Sequence, residues 1–225
     1  MRKTLVSFVF ILLISEVYCQ KQSFLKPDYD LIKLEIQDSV SIFYYPQLMG
    51  RMVSFDTTLN VEDYKYLYYG YLFQKDFEPF MTTFNEDKLL ELRQREVLDT
   101  IKIFDLANHL IADFPFDLNS LRILRIYYRI KGDSVMSRNL KNRYFGILEA
   151  IYSSGDGSSK ETAIHVISVN HELEILRQKK LKLISQSKVD DFDCLTVQSI
   201  SIVQGLKKCI YFYTGQISNK NLQVK

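Results

Sequence analysis

The chain has 225 residues, 29 basic against 27 acidic side chains for a formal net charge of +2, and 47% hydrophobic content whose aromatics are Tyr and Phe with no Trp. That near-balance predicts no strong pull toward nucleic acid or an anionic membrane surface. The apolar content describes an ordinary globular chain able to bury a sizeable core.

Residues 1–19, MRKTLVSFVFILLISEVYC, read as a secretory signal peptide. Arg2 and Lys3 form the charged start, and Leu5 to Ile14 are apolar but for Ser7, a run too short and wrongly flanked to span a bilayer. Val17 and Cys19 are small enough for the two recognition positions of signal peptidase, so cleavage is expected after Cys19, leaving Gln20 as the new terminus. The alternative keeps Cys19 as a lipid-modified anchor, although Glu16, Val17 and Tyr18 make a poor lipobox. No later segment has the apolar length of a spanning helix, and the expectation is a periplasmic or secreted protein.

Residues 20–57 form an entry segment with an aromatic run, SIFYYPQLM, in which Pro46 disfavours helix at Tyr45 and can itself open a helical turn. Asn60 can cap the first clear helix with Asp63 three residues on; Leu59 and Tyr64 sit at staple positions, and Tyr64, Leu67, Tyr68 and Tyr71 make one apolar stripe. Helical period returns after Asn85, where Val97, Ile101, Phe104, Ile111 and Phe114 line a face that stops at Pro115. A helix from Asp117 to Lys131 ends at Gly132, and another from Ser134 to Tyr152 carries the stripe Met136, Leu140, Tyr144, Ile147 and Ile151. The junction ADFPFDLNSLRILRIYYRIKGD resembles a tetratricopeptide-type helical hairpin, with one full unit visible.

Past Tyr152 the period changes. SSGDGSSKET is a loop by composition, read as a flexible joint over 153–161. TAIHVISV, LKLISQS, CLTVQSISIV and KKCIYFY are strand-like, with turns at VDDFD and QGLK, and HELEILRQKK between the first two reads as a short helix in preference to a continued strand. The expected fold is α+β: one domain over 20–225, mainly helical over 20–152, then an antiparallel sheet of three to five strands over 162–213 and a frayed polar tail over 214–225. Cys194 and Cys209 are expected as unpaired buried thiols. A hairpin turning near Gln204 and Gly205 puts Cys209 opposite Ile202 and leaves Cys194 roughly 26 Å away at strand rise.

No motif in this chain carries defensible chemistry. His165 and His171 in HVISVNHE share a strand face but stand roughly 20 Å apart on an extended strand, too far for one metal ion. Gly155-Asp156-Gly157 opens GDGSSKET, which has no second glycine beside its lysine and precedes a strand where a phosphate loop precedes a helix, and Asp156 lacks the spaced carboxylates of a calcium loop. His109 lies on a helical stripe and needs no special role, and no nucleophile elbow accompanies the histidines. Two constellations remain as binding candidates. Arg122, Arg125 and Arg129 form a basic stripe able to grip an anionic group, or simply a solvated helix face. Tyr68 and Tyr71, clustered about Gly70, offer either a stacking platform for a glycan or peptide, or core packing.

SIFYYPQLMGRM, VEDYKYLYYGYLFQ, DFPFDLNSLR and SGDGSSKETAIHVISVNHELEIL, in that order, resemble the exported bacterial family catalogued as domain of unknown function 4919. The resemblance spans nearly all of the chain beyond residue 19. It implies export, one whole-length domain and a bacterial envelope setting, and it carries over no site residue and no cofactor. The function expected is a non-enzymatic module binding an envelope protein or glycan, not nucleic acid. The alternative is a hydrolase-like envelope enzyme using His171, Glu172 or Asp156 in a pocket where they converge.

Overall fold

Aspartate and asparagine side chains open most of the helices. In the computed structural model, which describes residues 24–77, 91, 99–200 and 207–217, Asp28 accepts from the Leu31 amide to start α1 (Tyr29–Gln37), while α2 (Tyr45–Val53) opens on Pro46, whose missing N–H costs nothing in a first turn. The expected capping box is present at α3 (Val61–Gly70): Asn60 Oδ1 accepts from the Asp63 amide and Asp63 Oδ2 from the Asn60 amide, both at 3.0 Å. Asp99 caps α4 (Thr100–Asp113), Asp117 caps α5 (Leu118–Ile130) and Asp133 caps α6 (Ser134–Tyr152). Gly132 ends α5 with φ +83°, a left-handed stop that only glycine adopts freely.

The apolar faces decide what packs. α5 and α6 form a helical hairpin, α3 lies against α6, α4 against the other side of α5, and α1 and α2 cover α3. Leu140, Tyr144, Ile147 and Ile151 of α6 are buried as their spacing requires. On α4 the expected stripe holds in part: Phe114 is buried and Phe104 and Ile111 are half-buried against the core, but Ile101 is 67% exposed, and Ala107 and Leu110 take the fully buried positions. The 103, 107, 110, 114 spacing fits the helix period as well as the expected one and faces α5. Val97, the signal segment 1–19, the turn expected near Gln204 and Gly205 and residues 218–225 of the tail lie outside the described residues.

Strands follow, with one short helix between them: β1 (Ile164–His165), α7 (Val169–Gln178), β2 (Leu181–Val189), β3 (Phe192–Ser199) and β4 (Lys208–Tyr213). The sheet order is β1-β4-β3-β2, antiparallel throughout except that β1 runs parallel to β4. The fold is α+β. Leu195, Val197, Ile210 and Phe212 alternate onto the inner face, and α7 covers β2 while touching α5. The start of the tail is packed: Thr214 is 2% and Ile217 4% exposed.

Two expectations about this half need correction. Cys194 and Cys209 form a disulfide, with Cα atoms 5.7 Å apart. β4 pairs Cys209 with Thr196 and Tyr211 with Cys194, so the cysteines are diagonal neighbours on one sheet face; the register is shifted from the one that a turn at Gln204 and Gly205 would impose, and that shift brings them together. The joint over 153–161 is stitched down. The Gly157 amide donates to Thr162 O at 2.8 Å and the Tyr211 amide to Gly157 O at 2.9 Å, while a Cβ on Gly155 would stand 2.3 Å from Thr162 O.

Candidate functional site

α7 carries three buried polar residues in four positions, each aimed at a different wall. His171 donates from Nε2 to Phe116 O at 3.0 Å, because a carbonyl can only accept. Its Nδ1 therefore accepts from the Tyr68 hydroxyl at 2.6 Å, and that oxygen in turn accepts from the Ile167 amide at 3.1 Å. Both ring nitrogens of His171 and the Tyr68 hydroxyl are thus engaged. Burial holds the His171 pKa down to about 4. His165, on β1, makes its own pair with Tyr29 at 3.0 Å, and burial likewise lowers it to about 4.

Glu174 turns to α6 and α5. Tyr144 donates to it at 2.5 Å, Arg177 Nε at 2.8 Å, and Arg122 Nε stands 3.6 Å away. Burial alone would raise this carboxyl, but the Arg177 and Tyr144 hydrogen bonds outweigh it and the net shift is downward. Glu172 is different. It is 1% exposed, neither of its oxygens meets a hydrogen-bond donor among the described residues, and its neighbour is another carboxylate, Asp193, whose Oδ2 accepts from Thr214 Oγ1 at 3.0 Å. Burial first, then the charge of Asp193, pushes Glu172 up to about 9; as a neutral acid it hydrogen-bonds Asp193.

The residues expected to bind are distributed by this packing. Tyr68 is fully buried against His171 and Phe116, and Tyr71 is 6% exposed with its hydroxyl on Asp113 O at 3.3 Å, so neither presents a ring to a ligand. Their stripe faces the core because α1, α2 and α6 all pack on α3. The arginine stripe is split: Arg122 is drawn inward to Glu174 and to Asn119 Oδ1 at 2.5 Å, Arg125 is half-buried, and Arg129 is exposed. His165 and His171 sit on separate elements with separate partners. Asp156 accepts from the Ser158 amide at 2.9 Å and Thr162 Oγ1 at 2.8 Å, which ties it to its own loop. Among the described residues no three His, Cys, Asp or Glu side chains gather as a metal would need.

Among the accessible clefts, one of about 360 Å³ lies between α6 and the start of α3, and another of the same volume, lined by Arg122, Phe104 and Tyr127, lies between α4 and α5. In the first, Asp56, Asn60 and Tyr64 line one wall and Asn142, Phe145 and Glu149 the other. Gly146 sets its floor: the Tyr64 ring lies directly on the α6 backbone there, and a Cβ would meet Tyr64 Cε2 at 2.2 Å. Asp56 is tied to Arg51 Nε at 2.8 Å and to Thr58, and the Arg51 hydrogen bond holds its carboxyl down to about 2. Asn142, Glu149 and the Tyr64 hydroxyl make no side-chain hydrogen bond to other described residues. Phe145 is 37% exposed at the lip, with Lys141 Nζ 6.0 Å from its ring centre. Phe145 falls off the α6 stripe, four residues from both Lys141 and Glu149. An aromatic on the polar face of an amphipathic helix is the signal in the sequence that marks it.

Comparison with known proteins gives one family match, to a model described as Domain of unknown function (DUF4919), over residues 12–223. No curated protein and no solved structure matches.

Proposed function

The chain belongs to the DUF4919 family, and because that description names no activity we propose a function from the chain's own surface: an exported, non-catalytic module that binds a glycan in the α3–α6 cleft. The observation that carries this reading is Phe145, a half-exposed ring beside a hydroxyl, an amide and a carboxylate that have no intramolecular work. A sugar offers an apolar face to stack on such a ring and hydroxyls to meet Tyr64, Asn142 and Glu149. The cleft volume is at the low end of ligand pockets, which suits one or two sugar rings. Export is supported by the pattern of residues 1–19 and by a disulfide of the kind that persists in oxidising compartments. The histidines, which a catalytic reading would use, are spent on tyrosines and a carbonyl.

The absence of Trp from the sequence provides a clean test. Phe145→Trp keeps a stacking ring and introduces a single indole at the lip, whose emission should shift on titration with envelope oligosaccharides. Phe145→Ala should weaken the same binding by about 1–3 kcal/mol in calorimetry, the worth of one stacked ring. Titration of a broad oligosaccharide panel with no response in either assay would refute the reading. One observation favours a hydrolytic second reading, the two carboxylates Asp56 and Glu149 on facing walls. Recovery of a bound oligosaccharide in cleaved form decides for it, and recovery intact decides against. Mass spectrometry of the exported protein, finding Gln20 or acylated Cys19 at the terminus, distinguishes free from lipid-anchored export.

A further inference from the structure

β2 ends the sheet, and among the described residues nothing pairs with its outer edge. The direction of its backbone groups follows from one bond. The Ile200 amide donates to Lys180 O at 3.0 Å, so 180 and 200 are a hydrogen-bonded pair; by alternation Lys182, opposite Gln198, also faces β3. Leu181 and Leu183, opposite Ser199 and Val197, therefore turn their N–H and C=O groups to the open edge. Beside these same two residues runs a groove of about 290 Å³ whose lining includes Leu173, Leu176 and Ile200, with Leu173 48% and Ile200 66% exposed. Unpaired ladder groups and exposed apolar surface coincide.

Charge selects the occupant. Residues 177–189 hold five basic side chains, Arg177, Lys179, Lys180, Lys182 and Lys188, and no acidic one, in a chain whose whole net charge is +2. Arg177 and Lys180 rim the groove itself. A second copy of this chain would bring a like-charged edge against this one and is disfavoured. We propose that the β2 edge docks an extended acidic segment of a partner protein, added as a fifth strand, with alternate apolar side chains in the Leu173–Leu183 groove and the acidic ones toward Lys180 and Lys182. Main-chain bonds at Leu181 and Leu183 would supply affinity, and the groove and lysines would supply selection. The surface is separate from the Phe145 cleft.

The probe is a synthetic peptide of nine residues, the span of β2, alternating valine and glutamate. Its binding to the wild-type protein should slow amide exchange at Leu181 and Leu183 and should weaken as salt rises from about 0.05 to about 0.5 M. The Lys180→Glu, Lys182→Glu double variant should lose at least about tenfold in affinity. The same peptide N-methylated at alternate residues should fail to bind, a control that uses the unaltered protein and is independent of how the variant folds. A valine-lysine peptide of the same length should not bind. Equal binding by the N-methylated peptide, unchanged exchange at Leu181 and Leu183, binding only of anionic phosphatidylserine vesicles, or no binding by any probe would each overturn the proposal.

Discussion

His165 and His171 stay neutral because burial disfavours their protonated forms, and both titrate near pH 4 in the fold against a usual value of 6.5. Between those values the unfolded chain takes up protons that the folded chain refuses, so stability falls as pH drops from about 6.5 toward 4. The loss is about 1.4 kcal/mol per pH unit for each histidine. Glu172 acts in the opposite direction. Raised to about 9, it holds a proton in the fold through the range where the unfolded chain has released it, so its contribution is full below about 4.5 and is lost as pH rises through 9. Burial opposes its ionisation most and the Asp193 charge next; Tyr68 faces it from α3, and Lys188 from β2 partly offsets them. Among these three groups the two histidines outweigh the one carboxyl on the acid side, so urea titrations should show stability rising from pH 4 toward neutrality; Asp117, whose carboxyl burial also raises, adds to the loss as pH rises. Glu172→Gln, a neutral amide able to donate to Asp193, should flatten the alkaline limb while leaving the acid limb as it is.

A second residue-scale prediction concerns Gly146. Its replacement by Ala forces the Tyr64 ring off α6, and overpacking of this kind costs about 1–3 kcal/mol in denaturant unfolding. The same substitution lifts the floor of the cleft, so sugar binding should fall with stability. Gly50, with open space about its Cβ direction, serves as the helix-propensity control.

Among the elements, helices 117–131 and 134–152 and the cap at Asn60 were legible because caps, period and Gly132 all act within a few residues. α7 was legible only as a choice between a short helix and a continued strand, and its first turn holds His171 and Glu172 indoors, where only tertiary partners explain them. The α4 face was legible only in part, because two overlapping stripes that share Phe114 satisfy the same period and only α5 selects between them. Tyr68 and Tyr71 looked available because a tyrosine carries both an apolar ring and a polar tip; α1, α2 and α6 enclose α3, and the hydroxyls found internal acceptors. Register between β3 and β4 was out of reach, since a strand pattern fixes faces and leaves the pairing offset to where the chain reverses. That offset decided the disulfide. The Cys194→Ser, Cys209→Ser variant should lose about 3 kcal/mol, the entropy of a loop of 15 residues, in guanidinium unfolding.

Across the whole molecule, the helical part and the sheet are joined by short, hydrogen-bonded contacts, with no free linker between residues 152 and 164. Leu25 N bonds to Ser153 O at 3.1 Å, His165 N to Ser154 Oγ at 2.9 Å and Tyr211 N to Gly157 O at 2.9 Å, so chain entry, loop and last strand converge at one corner. Such a corner predicts a single cooperative unfolding transition, with far-UV circular dichroism and Tyr emission coinciding in denaturant; separate midpoints for the two signals would contradict it. The Cys194–Cys209 bond adds a further property to that unit. A backbone cut anywhere between the two cysteines leaves the pieces covalently tied, so a protease acting there would produce a nicked protein that migrates as intact on a non-reducing gel and releases its last strand when thiol is added.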